Sequence, residues 1–161
     1  MNIFEFAMKM ELDGKAYYEK LASETSDNGL KAIFTGLAAG ELKHFETIQA
    51  IKAGSNWVMK ESAVLASAKN LFEQLISNKT NADGLKKSLD GYQYARKIEA
   101  DSVTFYEDAA SKESNATARQ LLSRIAGEER EHYTILDNLY DYTLAPQNFL
   151  AWAEFSNIKE L

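Results

Sequence analysis

The chain has 161 residues, 45% hydrophobic and 26% charged, with a formal net charge of −6 and a pI near 5.0. That length suits one domain with one substantial core, and the acidic balance, with no clustered Lys/Arg run, argues against nucleic acid or an anionic membrane surface as the main partner. The lack of cysteine excludes disulfides, thiolate ligands and cysteine nucleophiles, and no apolar stretch approaches the ~20 residues that span a bilayer, so the cytoplasm is the expected location.

One proline, with few glycines inside the periodic stretches, predicts an all-helical chain. The first helix is expected from an Asn2 cap to about Ser26, with Phe6, Met10, Ala16, Tyr17 and Leu21 on or near its buried side. A turn at Asp27-Asn28-Gly29 leads to a second helix, about Leu30 to Ala53, whose stripe is Ile33, Leu37, Phe45, Ile48 and Ile51. Gly54-Ser55-Asn56 ends it. Residues of about 55 to 82 then form a connection too long for a hairpin turn, suited to a crossover along a bundle. Within it Val64, Leu65, Ala68, Leu71, Phe72, Leu75 and Ile76 recur at helical spacing and predict a short amphipathic helix, while Trp57 reads as a packing residue. After Asn81-Ala82-Asp83-Gly84 comes a third long helix, about Leu85 to Lys112, then a turn at Glu113-Ser114-Asn115 and a fourth helix, about Ala118 to Tyr142, closed by Pro146. The tail, 146–161, is expected to hold a short helix around Asn148 to Phe155 that packs Phe149, Trp152 and Phe155.

The only two histidines sit in one motif, Glu41-x-x-His44 and Glu129-x-x-His132, with lone glutamates, Glu11 and Glu99, upstream of each. All of them repeat at a single offset of 88 residues, and 7–48 aligns with 95–136 without a gap, keeping Tyr18/Tyr106, Glu19/Glu107 and Ala38/Ala126 identical. Each half is therefore one copy of a two-helix unit within a single 1–161 domain.

A glutamate and a histidine three positions apart share a helix face, so both reach one metal ion. Two such pairs, joined by an inward glutamate from each of two other helices, form the four-carboxylate, two-histidine box that holds a metal pair inside a four-helix bundle. The bland alternative is two exposed Glu/His pairs adding a few tenths of a kcal/mol each to surface helices. If the bundle closes around the apolar stripes, however, Glu11, Glu41, Glu99 and Glu129 point inward, and four unpaired carboxylates there would be very costly. Two divalent cations balance them, with His44 and His132 completing the ligand set. The mixed oxygen and nitrogen donors suit iron, manganese or zinc better than calcium or magnesium without choosing among the three, and the offset predicts that the halves bind as near equivalents.

Tyr18 and Tyr106 lie seven positions after Glu11 and Glu99 on the same face, placed to hydrogen-bond a ligand carboxylate or donate an electron, or simply to fill the core. Tyr17 and Phe105 read as core, and Glu128 and Glu131 as part of a solvated charged face. No Gly-rich phosphate loop is present and no Ser/His/Asp set assembles, since both histidines are committed.

The segments Ala7-Met8-Lys9-Met10-Glu11-Leu12-Asp13-Gly14-Lys15-Ala16-Tyr17-Tyr18 and Leu37-Ala38-Ala39-Gly40-Glu41-Leu42-Lys43-His44, with their second copies at 95–106 and 125–132, resemble a rubrerythrin-type member of the ferritin-like superfamily. The resemblance spans both helical pairs. It implies a ferritin-like antiparallel four-helix bundle with two iron ions, often a homodimer, reacting with hydrogen peroxide or O₂. Rubrerythrins proper carry a Cys₄ rubredoxin module; its absence here implies a separate electron donor such as a rubredoxin-like protein. They also carry a further carboxylate where this chain has Ser102, Asp101 pointing about 100° away, so the symmetric six-residue set is closer to bacterioferritin-type centres. Three functions follow as expectations: a di-iron oxidoreductase, an iron-handling ferroxidase or storage protein, and a bundle whose metal is structural.

Overall fold

The computed structural model describes residues 1–77 and 88–144, and every regular element among them is an α-helix. Helix α1 runs Ile3–Glu24, α2 Asn28–Ala53, α3 Val64–Ser77, α4 Leu89–Lys112 and α5 Ala116–Leu144. Short turns make two antiparallel hairpins, α1 with α2 and α4 with α5, while α3 lies on the crossover and packs against α2 and α5. This is the all-helical bundle that the periodicity predicts, and it is consistent with the ferritin-like arrangement that the resemblance implies.

The helix ends are set by local chemistry. Asn2 Oδ1 accepts from the Glu5 amide while Glu5 Oε2 accepts from the Asn2 amide, a reciprocal capping box that fixes the start of α1. Asp27 Oδ1 accepts from Leu30 N at 2.9 Å, and Asn115 Oδ1 accepts from Ala118 N at the same distance, so the repeat extends to the caps of α2 and α5. Those caps start each helix two residues before its predicted start. Gly54 ends α2 at φ 67°, a left-handed position where a side chain would be strained.

The buried apolar residues form two clusters. One gathers Tyr18, Leu30, Ile33, Phe34, Leu37, Tyr92, Ile135, Leu136 and Leu139, with Leu65, Ala68 and Phe72 of α3 closing it. The other gathers Ala7, Ile48, Tyr106, Leu121, Leu122 and Ile125, with Met59 from the crossover. Between the two, along the chain and in space, lies a belt of buried polar residues, so the cores clamp that belt from both ends. Of the predicted inward face of α1, Leu21 is buried and Met10 and Tyr17 are half-buried, but Phe6 and Ala16 are exposed. Phe6 lies instead on the flank, its ring 5.5 Å from that of Phe105. The α1 stripe is narrower than its hydrophobicity suggests because Glu11 and Tyr18 occupy the innermost line. Trp57 is partly exposed and donates its indole N–H to Thr47 Oγ1 at 3.1 Å. Leu85 to Lys87, the side chains of Leu75 and Ile76, Pro146 and the predicted tail helix fall outside the described residues.

Candidate metal centre

The belt is built one residue per turn. Glu11 comes from α1, Glu41 and His44 from α2, Glu99 from α4, and Glu129 and His132 from α5; each is at most 4% exposed. Helical geometry puts each Glu-x-x-His pair on one face, and the two apolar cores turn that face inward. The six residues fall into two overlapping groups, Glu11, Glu41, His44 and Glu129 on one side and Glu41, Glu99, Glu129 and His132 on the other, with one potential ligand atom of each within 4.8 Å of the rest. Glu41 and Glu129 belong to both. The imidazoles stack with centroids 5.5 Å apart.

His44 Nδ1 faces Glu129 Oε1 at 3.4 Å and Glu11 Oε2 at 3.6 Å, and His132 Nδ1 faces Glu41 Oε1 at 3.0 Å, Glu129 Oε2 at 3.3 Å and Glu99 Oε1 at 3.5 Å. Glu11 Oε2, His44 Nδ1 and both carboxylate oxygens of Glu129 are buried without a hydrogen-bond partner. Native interiors rarely leave such atoms unsatisfied, and a cluster of them converging from three helices, α1, α2 and α5, has the donor set and the unused lone pairs that metal binding requires.

The electrostatics separate the four carboxyls by position. Burial, with the charges of Glu129, Glu99 and Glu11, pushes Glu41 well above its ordinary range, and burial with Glu99 and Glu11 lifts Glu129 to about 8. Burial also opposes ionisation of Glu11, but contacts with Glu41, His44 and Tyr106 outweigh it and hold that carboxyl at about 2. Glu99 is lowered in the same way, burial being overcome by the His132 charge and by contacts with Glu129 and Tyr18. Both imidazoles resist desolvation and are raised well above their ordinary value, chiefly by the charges of Glu129 on His44 and Glu99 on His132. Metal-free, these shifts favour the protonated form of the two shared carboxyls and of both imidazoles, and the ionised form of Glu11 and Glu99.

Tyr18 and Tyr106 both reach belt carboxylates. Each phenol donates to the carboxylate of the other half, Tyr18 to Glu99 and Tyr106 to Glu11. Burial and the neighbouring carboxylates raise both phenols well above their ordinary value, so they remain donors. A cavity of about 250 Å³ between α1 and α4 leads to the belt, with Glu11, Glu41 and Glu99 in its wall and the Tyr17 and Tyr94 rings, 5.2 Å apart, beside them. Gly14 lines it too; a Cβ there would stand 3.3 Å from Glu41 Oε2. Ser102 is buried in the same wall and its hydroxyl lies 3.8 Å from Met10 Sδ.

Glu128 corrects the sequence reading. It is not on a solvated face: it is 8% exposed, its Oε1 lies 3.1 Å from His44 Nε2, and the same oxygen pairs with Lys43 Nζ at 2.6 Å. One residue before Glu129, it is rotated by about 100° on α5, which aims it at α2 instead of at water. The available signal was a break in the repeat: the position 88 residues earlier is Gly40. Glu131 is half-buried and raised by burial and by the Glu128 charge.

The family model for rubrerythrin matches residues 2–140, a span that takes in the first hairpin, the second up to the last turn of α5, and every residue of the belt. Comparisons with curated proteins and with solved structures yield no match. No helix among the described residues is long and apolar enough to cross a membrane.

Proposed function

This chain belongs to the rubrerythrin family, and on that premise we propose that it is a di-iron carboxylate oxidoreductase, holding two iron ions per chain and reducing hydrogen peroxide or O₂ with electrons from a separate donor. The observation that carries the reading is the pair of overlapping four-residue groups sharing Glu41 and Glu129, with buried lone pairs otherwise unused. Glu11 and His44 would hold one ion, Glu99 and His132 the other, and Glu41 and Glu129 would serve both. Two divalent cations balance four carboxylates and displace the protons and imidazolium charges of the metal-free belt. The oxygen and nitrogen donors fit iron, manganese or zinc, and membership of the rubrerythrin family favours iron among them. When bound, a reduced iron pair supplies the two electrons that cleave the O–O bond of peroxide, two protons completing two waters.

The chain's own groups do the rest. Tyr18 and Tyr106 hold Glu99 and Glu11 in place by donation from phenols that stay protonated. The two cores close the belt at its two ends, and the cavity beside Tyr17 and Tyr94 that leads to it is of a size for a small oxidant, below the several hundred Å³ that larger ligands take. These 161 residues contain no cysteine for a thiolate-ligated relay, which supports a separate rubredoxin-like donor; the family supports a homodimeric assembly.

Anaerobic reconstitution with Fe(II) tests it. The folded protein should hold close to two iron ions per chain, and peroxide or O₂ should oxidise the reduced centre, with repeated turnover when reduced rubredoxin is supplied. No bound iron in a folded protein overturns the di-iron reading. Iron that is bound but inert to both oxidants makes the metal structural, and iron that is oxidised and then released points to iron handling.

A further inference from the structure

The two halves repeat the six belt residues, both tyrosines and both caps, but not the outer face of the imidazoles. In one half His44 Nε2 lies 3.1 Å from Glu128 Oε1, which is anchored by Lys43 Nζ at 2.6 Å; Lys43 in turn donates to the Lys60 carbonyl at 3.1 Å. In the other half His132 Nε2 is buried and has no partner. The residue that would supply one, by the repeat, is Gly40, and there a Cβ would stand 2.9 Å from both His132 Nε2 and Cε1. The ring has taken the space that a side chain at position 40 would need, so no counterpart of Glu128 can be built there without moving the imidazole.

Resting on the di-metal reading above, we propose that Glu128 is a positioning residue for one metal position only, and that the two positions are therefore unequal: the one at Glu11 and His44 binds metal more tightly than the one at Glu99 and His132. The physical reason is the tautomer. A neutral imidazole that ligates through Nδ1 must carry its proton on Nε2. Glu128 accepts that proton's hydrogen bond, fixing ring and tautomer together and making Nδ1 a better donor. At His132 the same tautomer leaves a buried N–H with nothing to receive it, which is a cost, while the alternative tautomer blocks Nδ1. Loss of an outer partner of this kind typically lowers metal affinity about 10–100-fold, and that is the disparity expected between the positions.

Co(II) alone is the probe, added anaerobically to the full chain labelled with ¹⁵N-histidine. With one equivalent, paramagnetically shifted imidazole signals should belong to a single histidine whose N–H carries a further downfield shift, since only His44 has its N–H held by a buried carboxylate. With two equivalents a second imidazole N–H should appear, without the downfield shift that a hydrogen bond to a carboxylate gives the first. Glu128→Ala should abolish that downfield shift, lower the affinity of that position about 10–100-fold and spread the first equivalent over both histidines. Glu128→Gln, which keeps an acceptor and the volume, should fall between. Equal occupancy of both histidines at one equivalent in the wild type, or Glu128→Ala weakening both positions alike, overturns the inequality while leaving the di-metal reading intact. No Co(II) bound by a folded protein overturns both.

Discussion

At the scale of single residues, space around the helical glycines separates site from scaffold. A Cβ at Gly40 meets the His132 ring at 2.9 Å, whereas one at Gly127 meets nothing within 4 Å. Both residues are inside helices, so replacement by alanine gains the same propensity, about 1 kcal/mol. Gly127→Ala should therefore raise stability by about 0.5–1 kcal/mol and leave metal content unchanged; its repeat counterpart is already Ala39. Gly40→Ala should displace the imidazole and reduce bound metal from two ions toward one, although its helix is no poorer. Elemental analysis beside thermal melts of the two variants decides this, and a Gly40→Ala protein that keeps both metals would mean that the ring is free to shift.

At the scale of elements, each hairpin is held by a short polar turn whose cap is repeated. Asp27 and Asn115 serve α2 and α5 through the same donor at the same 2.9 Å distance. Loss of such a cap costs about 1 kcal/mol, so Asp27→Ala and Asn115→Ala should destabilise the protein by closely similar amounts in denaturant titration. A large difference would show that one hairpin is held mainly by something else, α3 and its buried Phe72 being the obvious asymmetry. The exposed ion pairs one turn apart, Lys9 with Asp13 and its repeat Lys97 with Asp101, add a few tenths of a kcal/mol each and do not decide the fold.

For the whole molecule, the belt couples stability to pH and metal. In the metal-free protein Glu129 is raised from 4.5 to about 8, and Glu41, His44 and His132 are raised as well. A raised group contributes stability that is complete below its unfolded value and is lost as pH climbs through its folded one. Glu11, lowered to about 2, and Glu99 act oppositely, their contribution being present above 4.5 and lost as pH falls. The metal-free fold should therefore weaken steadily from pH 5 to 8, while the metal-loaded form, which needs deprotonated ligands, should weaken toward acid. At a hundredfold excess of metal over its dissociation constant the gain is about 2.7 kcal/mol. Thermal melts with and without chelator across that range check this; coincident midpoints at every pH would mean that these glutamates share no metal.

The sequence by itself determined the four long helices, their turns and the identity of the belt residues, because each depends on short-range rules: 3.6-residue periodicity puts Glu41 with His44 and Glu129 with His132, and Asp27 and Asn115 announce helix starts wherever they stand. The 88-residue offset added which halves correspond. Only the tertiary structure decided what meets across the halves: Tyr18 with Glu99 instead of Glu11, Glu41 with His132, Glu128 with His44, and Phe6 and Ala16 facing outward. Those pairings depend on how far each helix is rotated about its axis and how closely it approaches helices that come from residues far along the chain. That rotation is fixed by packing within the two cores on either side of the belt, which no local spacing encodes.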